Sequence, residues 1–190
     1  MNDNLAYQDE FREELISGKL IAMSPRPSVN HNRIIFNLSV IFGHYLNGKK
    51  CEPFADGTDL YLTDDDHFIP DFMVVCDPDK VQSNGVHGAP DLVVEVLSLS
   101  TAKRDRGYKK DVYEQCGVRE YWIVNPADKS VEVHLLTDGK FVLDNIYSFY
   151  TEEERAEIRD DEKALIVSQF KCSLYDDLEI SLEDVFHRTF

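Results

Sequence analysis

Asp91-Leu92-Val93-Val94-Glu95-Val96-Leu97 is a run of apolar residues with a carboxylate in its middle. The apolar residues do not alternate with polar ones, which marks a central strand covered on both faces. Glu95 stands between Val94 and Val96, where a charged carboxylate is costly unless it has a partner. The run therefore sets both the architecture and the first chemical question.

Downstream, the polar stretch 98–101 ends the strand. Residues 103–116 predict a helix, stopped by Gly117. Residues 120–125 (EYWIVN) predict a second buried strand. Residues 130–136 and 140–143 predict a hairpin turning at Asp138-Gly139. Upstream, residues 69–75 (IPDFMVV) predict a strand with Pro70 near its start, and Asp77-Pro78-Asp79 ends it. Before it, residues 58–62 alternate as a strand does. Asp64-Asp65-Asp66 reads as an exposed turn, without the spacing of a calcium loop, and residues 84–88 read as a loop. Ile34, Ile35, Leu38, Ile41, Phe42, Tyr45 and Leu46 share one helical face, which Asn47-Gly48 closes. Residues 19–23 predict a strand, 24–28 a breaker cluster, and the acidic start through Glu14 a short helix. The expected fold is mixed α/β: one domain over residues 1–190, with a central β-sheet flanked by helices.

The chain of 190 residues is 43 % hydrophobic, an ordinary globular content, and carries a net charge of -16. That charge excludes a passive nucleic-acid coat, because phosphate neutralisation needs basic residues. Contact with DNA must be local, through a basic patch or a metal. Cys51, Cys76, Cys116 and Cys172 form no CxxC pair, which argues against a zinc site and predicts four reduced thiols. The N-terminus lacks the pattern of a signal peptide, and no apolar run approaches the ~20 residues of a membrane span. A cytoplasmic protein without a membrane segment is expected.

Asp71, near the start of the 69–75 strand, is a second carboxylate beside apolar residues. If its strand neighbours that of Glu95, the two acids repel unless a cation lies between them. Magnesium, or manganese in its place, takes one or two carboxylates and fills its other positions with water and phosphate oxygens. The backbone carbonyl of Val96 or Leu97 is a further candidate ligand. Asp91 shares the strand face of Glu95 but stands ~13 Å from it, too far for one ion, and reads as a cap. Lys109 shares a helix face with Val112, Tyr113 and Cys116, whereas Lys110 does not. Its side chain points back toward the end of the Glu95 strand, where an ammonium can orient water or offset developing charge. The cluster Lys103, Arg104, Arg106, Lys109 and Lys110 has two equal readings: a phosphate-binding patch, or an exposed helix paired with Asp105 and Asp111.

The ordered series Ile69-Pro70-Asp71, Gly88 to Ser98, Asp105-Arg106-Gly107-Tyr108-Lys109, Tyr113, and Gly117 to Val124 resembles the Uma family of restriction endonuclease-like proteins, within the PD-(D/E)XK nuclease superfamily. The resemblance runs from near Glu14 to the segment around 178–186. It implies a metal-dependent endonuclease acting on DNA, with Asp71 and Glu95 as the motif's carboxylates. Leu97 stands where the plain superfamily pattern has Lys, and the resemblance implies that Lys109 takes that role. Leu99 and Asn125 depart from the family's usual Pro and Asp and touch neither metal ligand. Glu14 and His31 fall at matching positions near the N-terminus, and the resemblance makes them candidates for lining the site. Two rivals remain: a non-catalytic binding module on the same scaffold, and a homodimer whose acidic site is incidental.

Overall fold

The computed structural model describes residues 12–23 and 27–190. Residues 24–26 of the breaker cluster, and nearly all of the helix expected before Glu14, lie outside them. Glu13–Ile16 (β1) and Lys19–Ala22 (β2) form an antiparallel hairpin, so Glu14 belongs to a strand and not to a helix. Ser28 accepts the His31 amide and caps Val29–Leu46 (α1), whose buried residues Ile34, Ile35, Leu38, Phe42 and Leu46 follow the expected face. The chain continues through Glu52–Ala55 (β3), Leu60–Tyr61 (β4), His67–Phe68 (β5), Phe72–Val75 (β6), Val81–Gln82 (β7), Gly85–His87 (β8) and Leu92–Val96 (β9). Ala102–Arg104 (α2) and Lys110–Cys116 (α3) flank a π-type turn over Asp105–Lys109. Glu120–Asn125 (β10), Ser130–Thr137 (β11) and Lys140–Ser148 (β12) follow. Last come Glu152–Glu157 (α4), Asp160–Lys163 (α5), Gln169–Lys171 (β13), Glu179–Ser181 (β14) and Leu182–Val185 (α6).

The central sheet has the order β12-β11-β10-β9-β6-β3. Only β9 and β10 pair in parallel, as the intervening helix requires. The sheet is apolar on both faces. On one, α1, α6 and the β13–β14 hairpin cover Phe72, Val94, Trp122 and Val124. On the other, Val112 and Tyr113 of α3 pack with Met73, Val93 and Leu97, beside Leu60, Phe68 and Val86 of a smaller sheet. β9 is thus buried on both sides, as its unbroken apolar run demands. Trp122 is fully buried between Phe42 and Phe170, and its Nε1 donates to Glu120 Oε1 at 2.6 Å. The Ser173 amide and hydroxyl complete the coordination of Glu120 and tie the C-terminal segment to the sheet.

The smaller sheet, β2-β1-β5-β4-β8-β7, corrects the reading of residues 84–88 as loop. Its turn needs Gly85, at φ 140°, because a Cβ there would lie 2.4 Å from the Asp59 carbonyl oxygen. Asp66 is a second correction. It is buried, and its carboxylate accepts the Ser17 amide, the Thr63 hydroxyl and the Tyr108 hydroxyl. The β1–β2 turn needs an acceptor there, so the last aspartate of the triplet folds inward. The expectation of four free thiols is also corrected, since a disulfide joins Cys51 and Cys76 where β3 and β6 run side by side.

His134 of β11 is buried near Tyr121 and Phe141, with Nδ1 unpartnered. Burial, and then Lys110, hold its pKa below the ordinary 6.5, against a smaller opposing pull from Glu132. A depressed folded pKa contributes stability above the unfolded value that is lost as pH falls below it. His134→Phe is therefore expected to lose less stability than the parent between pH 7 and pH 5. Urea titrations at both pH values measure this, and identical losses would reject it.

Candidate active site

β6 and β9 are antiparallel with Phe72 opposite Val94. One step further, Asp71 stands opposite Glu95. Both side chains share the face of Met73 and Val93, toward α3. Asp71 Oδ2 accepts the Val96 amide at 2.7 Å, and Oδ1 lies 3.2 Å from His31 Nε2. The Ser28 cap fixes the first turn of α1 and so aims His31 at Asp71. The Leu97 amide donates to Val124 on β10, so that of Val96 turns toward β6. The Val96 carbonyl turns the same way, opposite Pro70, which has no N–H to offer it.

Glu95 is 3 % exposed. Its Oε1 accepts from Lys109 Nζ at 3.0 Å and from the Tyr113 hydroxyl at 2.7 Å. Lys109, also 3 % exposed, reaches Glu14 Oε1 at 2.7 Å, and that oxygen accepts the Ile69 amide at 3.1 Å. Glu14 comes from the small sheet, His31 from α1, and Asp71 and Glu95 from the central sheet. The structure thus gathers all five site side chains expected from the sequence. Asp91 takes no part. It accepts the Cys76 amide and pairs with Arg119 near the start of β9, the cap role expected of it.

Asp105 is the residue that sequence reasoning missed. It enters the sequence reading only in one of the two equal alternatives for the basic cluster, as a surface partner, but it is 2 % exposed, and Arg106 pairs instead with Glu132. Its signal was the four-residue interval to Lys109, one turn back on the same face. The smooth helix expected over 103–116 is interrupted at Gly107 (φ −116°, ψ −106°), and this π-type turn leaves Asp105 and Lys109 both facing inward. The Tyr121 hydroxyl donates to the Asp105 carbonyl at 2.9 Å and anchors the turn.

Burial pushes the Glu95 carboxyl well above its usual range. Lys109 opposes this, while Asp105, Asp71 and Glu14 reinforce it. Burial likewise raises Asp105, again opposed by Lys109. For Lys109 burial works against the charge, but Glu95, Glu14 and Asp105 outweigh it and the ammonium persists. Burial also works against charge on His31, yet its bond to Asp71 and the charges of Asp71, Asp56 and Asp105 raise it overall. Tyr113 is raised by burial and then by Glu95, so its hydroxyl keeps the proton it donates.

These groups line a cleft of about 1070 Å³, together with Arg12, Arg104, Leu99 and Asn125. Among the described residues, no three of His, Cys, Asp and Glu form a ready-made metal cage. The donors nonetheless fit a hard cation. Of the buried charged groups lining it, four carboxylates, Glu14, Asp71, Glu95 and Asp105, face one ammonium, Lys109; Asp105 Oδ1 is buried without a partner, and magnesium needs only one or two carboxylates beside its waters. No helix among the described residues is long and apolar enough to cross a membrane.

The chain is similar to several known proteins. A crystal structure from Anabaena variabilis, described as a putative nuclease belonging to DUF820, shares the fold with a TM-score of 0.69 at 17 % identity, over 95 % of this chain and 93 % of that one. The Synechocystis protein slr1290 is 31 % identical over 160 residues, 82 % of each chain. A second Synechocystis protein, sll1609, is 30 % identical over 125 residues, 64 % of this chain and 70 % of its own. The model of the Uma2 family, described as "Putative restriction endonuclease", matches residues 2–164, and the chain belongs to that family.

Proposed function

We propose that the chain is a divalent-metal-dependent deoxyribonuclease that hydrolyses phosphodiester bonds in this cleft. One observation carries the reading. A buried lysine is held between Glu14 and Glu95 at the floor of a cleft where further carboxylates converge. Asp71, Glu95 and the Val96 carbonyl would hold magnesium or manganese, which when bound supplies an activated water and neutralises phosphate charge.

The remaining work belongs to the chain. Lys109, kept protonated by its two acids, sets a fixed positive charge beside the reacting phosphate and offsets the charge that develops there. Tyr113 and Lys109 bind the same oxygen of Glu95 and leave the other free to face the cleft. His31 steadies Asp71. Arg12 and Arg104 bring positive charge to the cleft lining in a chain of net charge -16, so DNA contact is confined to this neighbourhood.

Purified protein with magnesium or manganese is expected to cleave supercoiled plasmid or single-stranded oligonucleotide, and to stop on chelation. Absence of cleavage on both substrates with both metals would overturn the enzymatic reading. The net charge favours a second reading, a binding module on the same scaffold. It requires DNA or protein binding that survives both chelation and Glu95→Gln.

A further inference from the structure

We propose that Asp105, presented by the π-type turn, joins Asp71 and Glu95 as a third carboxylate ligand when a cation binds; among the described residues no three such groups stand together without the ion. The inference rests on the metal-dependent reading above. Asp105 is 2 % exposed, lines the same cleft as Asp71 and Glu95, and its Oδ1 has no hydrogen-bond partner among the described residues. A buried ionised oxygen without a donor is costly, and such atoms persist where something else completes them.

The neighbouring cations are committed elsewhere. Lys109 is bonded to Glu14 and Glu95, and Arg106 to Glu132. Thr101 bonds the Asp105 carboxyl through a hydroxyl it also shares with Ser98, and Oδ1 is still left without a partner. Glu120 is a useful contrast. It is equally buried and purely structural, and Trp122 and Ser173 coordinate both of its oxygens.

The backbone around Asp105 is built to hold the side chain in place. The kink at Gly107 breaks the regular helical phase, and Tyr121 pins the Asp105 carbonyl. A surface aspartate needs neither device. A hard oxygen so placed suits a magnesium- or manganese-class ion.

The test is Mn²⁺ titration of the full chain, followed by electron paramagnetic resonance of the free ion. Asp105→Asn is isosteric and is expected to weaken Mn²⁺ affinity by about tenfold or more, the loss typical of removing a group that supports a metal. Its melting temperature in chelator is expected to match or exceed that of the parent, since a like charge has been removed. Asp105→Glu keeps the charge and is expected to bind between the two, which also covers the case in which the amide fails to fold. Parental affinity in Asp105→Asn would overturn this assignment alone. Failure of the unaltered chain to bind Mn²⁺ would overturn the metal-dependent reading and this assignment with it.

Discussion

Lys109→Met is expected to destabilise the fold by about 3–5 kcal/mol, the cost of removing one partner from a buried ionic cluster. The ammonium is 3 % exposed and lies 2.7 Å from Glu14 and 3.0 Å from Glu95. Without it, two carboxylates from different sheets face each other with no cation, and the small sheet loses a tie to the central one. Methionine keeps the length and apolar stem of the side chain, so packing against Phe68 changes little and the loss is chiefly electrostatic. A cycle with Glu95→Gln separates the terms. Because neutral groups would then replace the ion pair, the double variant is expected to recover part of the stability lost in Lys109→Met. Urea denaturation of the four proteins measures this, and simple additivity would show that Lys109 and Glu95 do not act as a pair.

The same cluster marks where sequence reading succeeds and where it stops. β9, β10 and α1 were legible because their signals are local: an unbroken apolar run, or a face repeating at helical spacing over many residues. The pairing of Asp71 with Glu95 followed from two adjacent strands, and Lys109 from its place beside Val112 and Tyr113. Of the small sheet only β2 and β4 were legible, from residues 19–23 and the alternation of 58–62, whereas two- and three-residue strands such as β5, β7 and β8 carry too little pattern to be read. Glu14 and His31 reach the site from distant segments, so only the family resemblance pointed to them. Asp105 was hidden by its basic neighbours, which invited a surface pairing; its one sequence signal was the four-residue interval to Lys109. The disulfide joins cysteines 25 residues apart, and sequence spacing does not reveal that pairing.

Glu95→Gln is expected to separate function from stability in the opposite sense to Lys109→Met. Cleavage should fall by about a thousandfold or to background, the scale seen when one preorganised electrostatic group is removed from an active site. Stability should change little or rise. The parental carboxyl is buried, its pKa is pushed up by that burial and by Asp105, Asp71 and Glu14, and the amide removes the like-charge repulsion. The amide oxygen can still accept from Tyr113 and from Lys109, and Lys109 keeps its ion pair with Glu14. A folded, unimpaired and inactive Glu95→Gln would identify a carboxylate kept at a cost to the fold because the chemistry needs its charge. A variant that unfolds, or one that cleaves normally, would assign Glu95 to structure. Measured together, nuclease rate and unfolding free energy distinguish these outcomes, and Glu120→Gln supplies the structural control. There the carboxylate accepts from Trp122 Nε1, the Ser173 amide and the Ser173 hydroxyl, so replacing it should lower stability and leave cleavage intact.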